Sequence, residues 1–365
     1  MFPLNDLCPR AFEAELAVHA GASAAEARKL FAALHAKTGR SLWRGGALGE
    51  LANVRGVRRA VLDRVLALGE LPRLRKVGCE TGADGFTRYL FECADGERVE
   101  AVRIPIPCLA PGAVVPERLA ERPHYVVCLS SQVGCALACA FCATGRMGFR
   151  RNLTVWEMIE QLRIVRAEAD RPVRGAVFMG MGEPLLNYDR VMAAARILSA
   201  PAGFAIAADR ITISTAGVVP GIRRFTAEGQ PYRLAVSLTA ATSEKRRRVM
   251  PIEETWPLPE LFAAVREHQA ARGGRAMLAW VAIDGFNVGD DDVRALRELC
   301  GDLPIRLDLI EVADPEGRFV APSEATLSGF RRALRVLGQP VARRYSGGRD
   351  VNAGCGMLAA TALRR

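Results

Sequence analysis

VVCLSSQVGCALACAFCATGRMGFRRNL, residues 126–153, starts as an apolar strand and opens into a loop carrying Cys128, Cys135, Cys139 and Cys142. The last three follow a C-x3-C-x2-C spacing among small, glycine and polar neighbours, poor surroundings for three inert core thiols. Thiolates are soft ligands suited to iron–sulfur clusters, zinc or copper. Three thiolates on a four-iron cluster leave one iron open to a substrate or cofactor, whereas a purely electron-carrying cluster uses four. Zinc would need a fourth ligand, from His124 or Cys128.

A strand that ends in a functional loop recurs downstream. YVVCLS, GAVFMG, RITIST, RLAVSL, MLAWVAI and IRLDLI read as strands, separated by helical stretches such as TVWEMIEQLRIVRAEA, LPELFAAVREHQAA and DDVRALRELCG. Thr154 and Glu157 stand at capping-box spacing ahead of the first of these. Six such βα units predict parallel strands forming a barrel or part of one, with chemistry at the strands' carboxyl ends. Upstream, residues 1–72 read as helices, with Ser23 and Glu26 again at capping-box spacing and a second helical pattern ending before Gly69 and Pro72. Residues 73–124 alternate apolar and polar, with hairpin turns at Asp84-Gly85 and Asp95-Gly96, then run through a proline-rich link around Cys108 and Pro111. The core spans 125–342, and 343–365 is a glycine-rich tail with Cys355 between Gly354 and Gly356.

The chain has 365 residues, half of them hydrophobic, and a formal charge of +10. Such a balance favours polyanionic partners. It also follows from a GC-rich genome, because only Lys29, Lys37, Lys76 and Lys245 are lysines. No run of about 18 apolar residues predicts a membrane helix. The ten cysteines are not spread as a disulfide framework, and a reducing cytoplasmic setting is expected.

CLSSQVGCALACAFCATGRMGF with RRNLT, MGMGEPLLN, ITISTAGVVPGI and NAGCG, in that order, closely resemble the radical S-adenosylmethionine (SAM) RNA adenosine methyltransferases of the RlmN/Cfr family. The likeness extends over essentially the whole chain. It implies a partial (β/α)6 TIM-like barrel of the α/β class, with a small N-terminal helical, RNA-binding domain and a β-hairpin extension. It implies a 4Fe–4S cluster on Cys135, Cys139 and Cys142, with SAM chelated at the open iron. Gly182 and Glu183 match residues against the SAM amino group, and Ser214, Ser237, Leu238 and Thr239 match further SAM contacts. Read alone, these are also ordinary strand ends, with Glu183 capping the next helix.

By the same resemblance Cys355 takes a methyl group from one SAM, and Cys128 resolves the resulting protein–RNA link by a transient disulfide. Without it, Cys355 reads as an accessible free thiol. Glu100 matches a proposed proton acceptor, or else a solvent-facing strand residue. The implied substrate is an adenosine ring carbon, carbon 2 or the carbon 8 of the antibiotic-resistance variant, in 23S rRNA and tRNA. An electron donor such as flavodoxin and a monomeric state are expected. A radical SAM enzyme retargeted to another substrate and a zinc-stabilised RNA-binding module are the competing readings. Two departures stand out: Thr239 replaces a histidine, and Asp314 replaces an asparagine expected to contact SAM. The arginines of EKRRRVMP and GFRRNL read as phosphate contacts or as solvated surface.

Overall fold

The computed structural model describes residues 2–35, 51, 54–107, 123–314 and 316–360. The link around Cys108 and Pro111 lies outside them. One sheet of ten strands organises the chain, and its spatial order is its chain order. The strands are β1 (Arg75–Thr81), β2 (Thr87–Glu92), β3 (Arg98–Ile106), β4 (His124–Cys128), β5 (Val173–Phe178), β6 (Ile211–Thr215), β7 (Arg233–Ser237), β8 (Ala276–Ala282), β9 (Ile305–Glu311) and β10 (Val341–Arg344). From β4 to β10 every pairing is parallel. Parallel neighbours need long crossovers, and helices supply them, among them Val155–Glu168, Tyr188–Ser199, Val219–Ala227, Leu258–Arg272 and Asp290–Cys300.

All six strands read from the sequence are present. A seventh parallel strand, β10, was not anticipated. The hairpin strands are not a separate unit: β1, β2 and β3 pair antiparallel and β3 joins β4, so they prolong the parallel sheet. The turns sit at the expected glycines, with Gly85 and Gly96 at φ of 83° and 84°, values that other residues rarely adopt.

The helical N-terminal region comprises Pro9–Ala20, Ala24–His35 and Arg59–Leu68 among the described residues. Glu26 closes its capping box on Ser23 and is also gripped by Arg58 at 2.8 Å. His35 is buried between the rings of Phe31 and Phe204, the latter belonging to the barrel region. Asp6 accepts from the Trp156 N–H at 2.8 Å, which further ties this region to the first barrel helix. No described helix is long and apolar enough to cross a membrane.

Candidate active site

The cysteine loop leaves β4 at Cys128 and is fastened before the first cluster cysteine. The Ser130 hydroxyl donates to the Glu100 carbonyl at 2.5 Å and accepts from the Met181 N–H at 2.9 Å. Gln132 accepts from the Glu183 N–H at 2.8 Å. The Asn187 amide donates to the carbonyls of Ser131 and Leu153, both at 2.9 Å. The glycines of MGMGEP allow this approach. A Cβ on Gly182 would stand 2.5 Å from Gln132 Cβ at a φ of 96°, and one on Gly180 would stand 2.8 Å from the Leu129 backbone. Farther along, the Ala140 N–H donates to the Val249 carbonyl at 2.9 Å, so the loop rests on the end of helix Ser243–Val249.

Cys135, Cys139 and Cys142 line one small cavity at the carboxyl ends of the strands, together with Gly182, Glu183, Ser214 and Ser237. Burial raises all three thiols, Cys135 to about 12, and the charges of Cys142 and Cys135 raise Cys139 further. Ligation must therefore displace their protons. Among the described residues no three His, Cys, Asp or Glu side chains converge as a single ion requires. A four-iron cube instead takes each thiolate at a different corner. Neither fourth zinc ligand is at hand: Cys128 and His124 line the neighbouring cavity, with His124 at the opposite end of β4. The donor set fits the cluster.

Glu183 is buried, and each of its oxygens accepts a backbone N–H, from Leu185 at 3.0 Å and Ala216 at 2.8 Å. It thus caps the turn Pro184–Asn187 and faces the cavity at once. Burial raises its carboxyl to about 7. Behind it, buried Arg246 donates to the Ala216 carbonyl at 2.6 Å and to Glu253 at 2.7 Å. One peptide unit on either side of Ala216 therefore links an acid in the cavity to a buried cation.

Cys355 lies at the seam of two cavities. It borders the small one and a second of about 570 Å³ that is also lined by Cys128. Met179, Gly180, Cys142, Thr144 and Gly356 form the shared wall, and together the two spaces reach the range of small-molecule sites. The Cys355 side chain is exposed, while Cys128 is buried and its thiol is pushed up to about 12, first by burial and then by Cys355. The tail is held in place along its length. The Ala143 N–H donates to the Gly356 carbonyl at 2.7 Å and the Thr144 hydroxyl to the Leu358 carbonyl at 2.6 Å. Asp84, in the β1–β2 turn, accepts from the Gly348 N–H at 2.8 Å and the Tyr345 hydroxyl at 2.9 Å.

Other predicted residues stand apart from the cavities. Glu100 is fully buried, not solvent-facing. It pairs with Arg88 at 3.0 Å and accepts from the Ala359 N–H at 3.2 Å, and burial raises it to about 7. Leu238 and Thr239 are buried and line neither cavity; Thr239 has a φ of 62° and a hydroxyl without a partner among the described residues. Asp314, also outside the lining, bridges Arg146 at 3.3 Å and Arg318 at 3.5 Å. Both arginines reach the Ala140 carbonyl, at 3.5 and 3.0 Å, so the aspartate clamps the loop after β9 onto the cluster loop. Its second oxygen and negative charge suit two guanidinium partners better than an amide would.

Two of the arginines read as phosphate contacts are engaged by carboxylates of the chain instead. Arg246 is buried against Glu253, and Arg151 is bound to Glu157 and Asp95. Arg150, Arg247 and Arg248 remain exposed. Sequence reasoning missed Ser130, Gln132, Thr144 and Asn187, although the quoted motifs contain all four. A larger cavity of about 1070 Å³, between the N-terminal helices and the barrel, holds none of the predicted residues.

Residues 129–300 match the model of the radical SAM superfamily. A probable RNA methyltransferase of Myxococcus xanthus (strain DK1622) is 51% identical, the match covering 98% of this chain and 94% of that protein. A probable dual-specificity RNA methyltransferase RlmN of Moorella thermoacetica is 37% identical, over 97% and 96%. The crystal structure of a radical SAM methyltransferase from Sphaerobacter thermophilus superposes with a TM-score of 0.83 at 33% identity, covering 99% of this chain and 100% of that one.

Proposed function

Because this chain belongs to the RlmN/Cfr-like family of radical SAM RNA methyltransferases, we propose that it methylates carbon 2 of an adenosine in 23S rRNA and in tRNA, with Cys355 as the methyl carrier. The observation that carries this reading is the position of Cys355 on the wall between the cluster-side cavity and the one lined by Cys128.

When bound, the cluster and SAM supply a carbon-centred radical able to remove a hydrogen atom. Cys135, Cys139 and Cys142 hold the iron. Glu183 would accept from the SAM amino group and Gly182 would keep the backbone close, with Ser214 and Ser237, on the same lining, as further contacts. The Cys355 thiolate would take the methyl group of a first SAM, releasing the demethylated thioether of that SAM. After loss of a hydrogen atom that carbon would bond to the adenine ring carbon, whose own hydrogen would leave as a proton while the surplus electron returns to the redox centre. The Cys128 thiolate would then attack the Cys355 sulfur and break its bond to the methylene carbon, which takes a proton to become the methyl group of the freed RNA, leaving a disulfide. An aromatic carbon is not nucleophilic enough to take SAM's methyl directly, so the thiol route supplies what direct transfer cannot.

Glu100 acts here mainly by anchoring the tail through Ala359, which keeps Cys355 at the seam. Leu238 and Thr239 shape the strand end behind Ser237, and Asp314 fixes the cluster loop. A flavodoxin-like protein supplies the electron to a monomeric, cytoplasmic enzyme. Mass spectrometry of rRNA and tRNA nucleosides from a deletion strain and its parent tests the reading. It expects one 2-methyladenosine site to vanish from each RNA. Loss of 8-methyladenosine instead would reassign the carbon, and unchanged RNA would overturn the proposal.

A further inference from the structure

The wider cavity runs along the inner face of the sheet. In one register row Cys128 pairs with Val177, Val177 with Thr212, and Thr212 with Arg233, and all four line the cavity. At the end away from the cluster the wall is basic. Arg174 near the start of β5, Arg210 just before β6 and Arg233 at the start of β7 all face the cavity. Among the described residues none of these guanidinium groups has an ion pair or hydrogen bond. The Arg344 guanidinium, also on the lining, donates to the Met179 sulfur at 3.4 Å. The one acid on the described lining, Asp308, is already taken by Arg306 at 2.9 Å.

Arg210 and Arg233 are exposed and Arg174 is half-buried. The buried arginines of the chain are matched: Arg88 with Glu80 and Glu100, and Arg246 with Glu253. Arg174, Arg210 and Arg233, without such partners among the described residues, converge on the cavity that holds the reacting cysteines. Like charges crowded on one wall repel until an anion arrives, and the guanidinium fork suits phosphate oxygens. Three strand spacings separate Cys128 from Arg233, roughly 14 Å of backbone, a gap that an arginine side chain and one nucleotide bridge together.

We propose that Arg174, Arg210 and Arg233 grip the phosphodiester groups flanking the target adenosine. The RNA strand then enters from the amino ends of the strands, and its base meets Cys355 from the side opposite SAM. This rests on the reading of the chain as an RNA methyltransferase acting through Cys355.

The test is binding of unmodified 23S rRNA and tRNA transcripts by the reconstituted holoenzyme across a salt series. Each single-strand phosphate contact contributes about 0.7 to the slope of log K against log salt. The triple variant Arg174→Gln/Arg210→Gln/Arg233→Gln is expected to lose about 2 from that slope. A control with Arg294, Arg297 and Arg335 changed to Gln, all exposed on the helical layer, is expected to lose none. Iron content and SAM affinity report whether the triple variant is intact. If it is not, the single Arg233→Gln variant carries the test with a loss of about 0.7. Wild-type binding with an unchanged slope in the intact variant overturns the arginine assignment alone. A wild-type enzyme that binds neither transcript overturns the proposed function, and the assignment with it.

Discussion

Replacing Glu183 by Gln is the sharpest probe of the SAM side of the site. The carboxylate uses one oxygen for the Ala216 N–H and the other for the Leu185 N–H. A glutamine has one oxygen and one NH2 group, so one of these buried donors faces another donor. An unsatisfied buried N–H costs about 1–3 kcal/mol. The amide also withdraws the charged acceptor from the SAM amino group, where a hydrogen bond to a charged group contributes about 1.5–3 kcal/mol. The second loss alone predicts SAM binding weakened by roughly tenfold to 150-fold. Glu183→Asp, one methylene shorter, keeps the charge but reaches only one N–H, and should fall between. Anaerobic calorimetry with SAM, on samples matched for iron, measures this. A Glu183→Gln enzyme whose Kd stays within twofold of wild type would refute the assignment of this carboxylate to the SAM amine.

Three further outcomes are expected. Cys128→Ala should trap a covalent protein–RNA adduct, seen as a shifted band that ribonuclease removes; free, fully methylated RNA from that variant counts against a resolving role. Arg246→Met should lower stability by about 3–5 kcal/mol by leaving Glu253 buried and unpaired, whereas Arg246→Met with Glu253→Leu should recover most of it. Equal urea midpoints for the single and double variants would show that the pair does not act as a unit. His35 is held neutral, its pKa pushed down to about 3 by burial and then by the charge of Arg163. Its unfolded value lies near 6.5, so the unfolded chain binds the extra proton between these limits and stability falls as pH drops through 6.5. The loss should reach about 2 kcal/mol at pH 5, and a His35→Leu variant whose acid dependence matches wild type would exclude this cause.

Much of the fold was legible because local signals and the global pattern agree. The capping boxes at Ser23/Glu26 and Thr154/Glu157 both close as spaced. The apolar runs became strands because each pairs with its neighbours in one parallel sheet whose residues are largely buried. β10 escaped notice because VARR is four residues with little apolar content, made a strand only by its pairing with β9. The continuity of β3 with β4 was equally hidden, since it depends on Ile104 meeting Val126 across an intervening link.

The thiols and the GEP turn could be read from spacing, but their supports could not. Arg246, Arg247 and Arg248 are indistinguishable in sequence, and only the helical turn decides that the first faces Glu253 and Ala216. Asp84 looked like a turn residue and is also an anchor for the Cys355 tail. Asp314 looked like a defect in the SAM site and serves instead as the partner of Arg146 and Arg318.

Whether a methyl group passes through sulfur on the tail decides the account. Anaerobic enzyme incubated with SAM carrying a deuterated methyl, then digested and sequenced by mass spectrometry, should show the label on the Cys355 peptide before any RNA is added. It should then lose that label as RNA gains a methyl group retaining two of the three deuterons. Labelled RNA that keeps all three deuterons, with no modification ever found on Cys355, would contradict it.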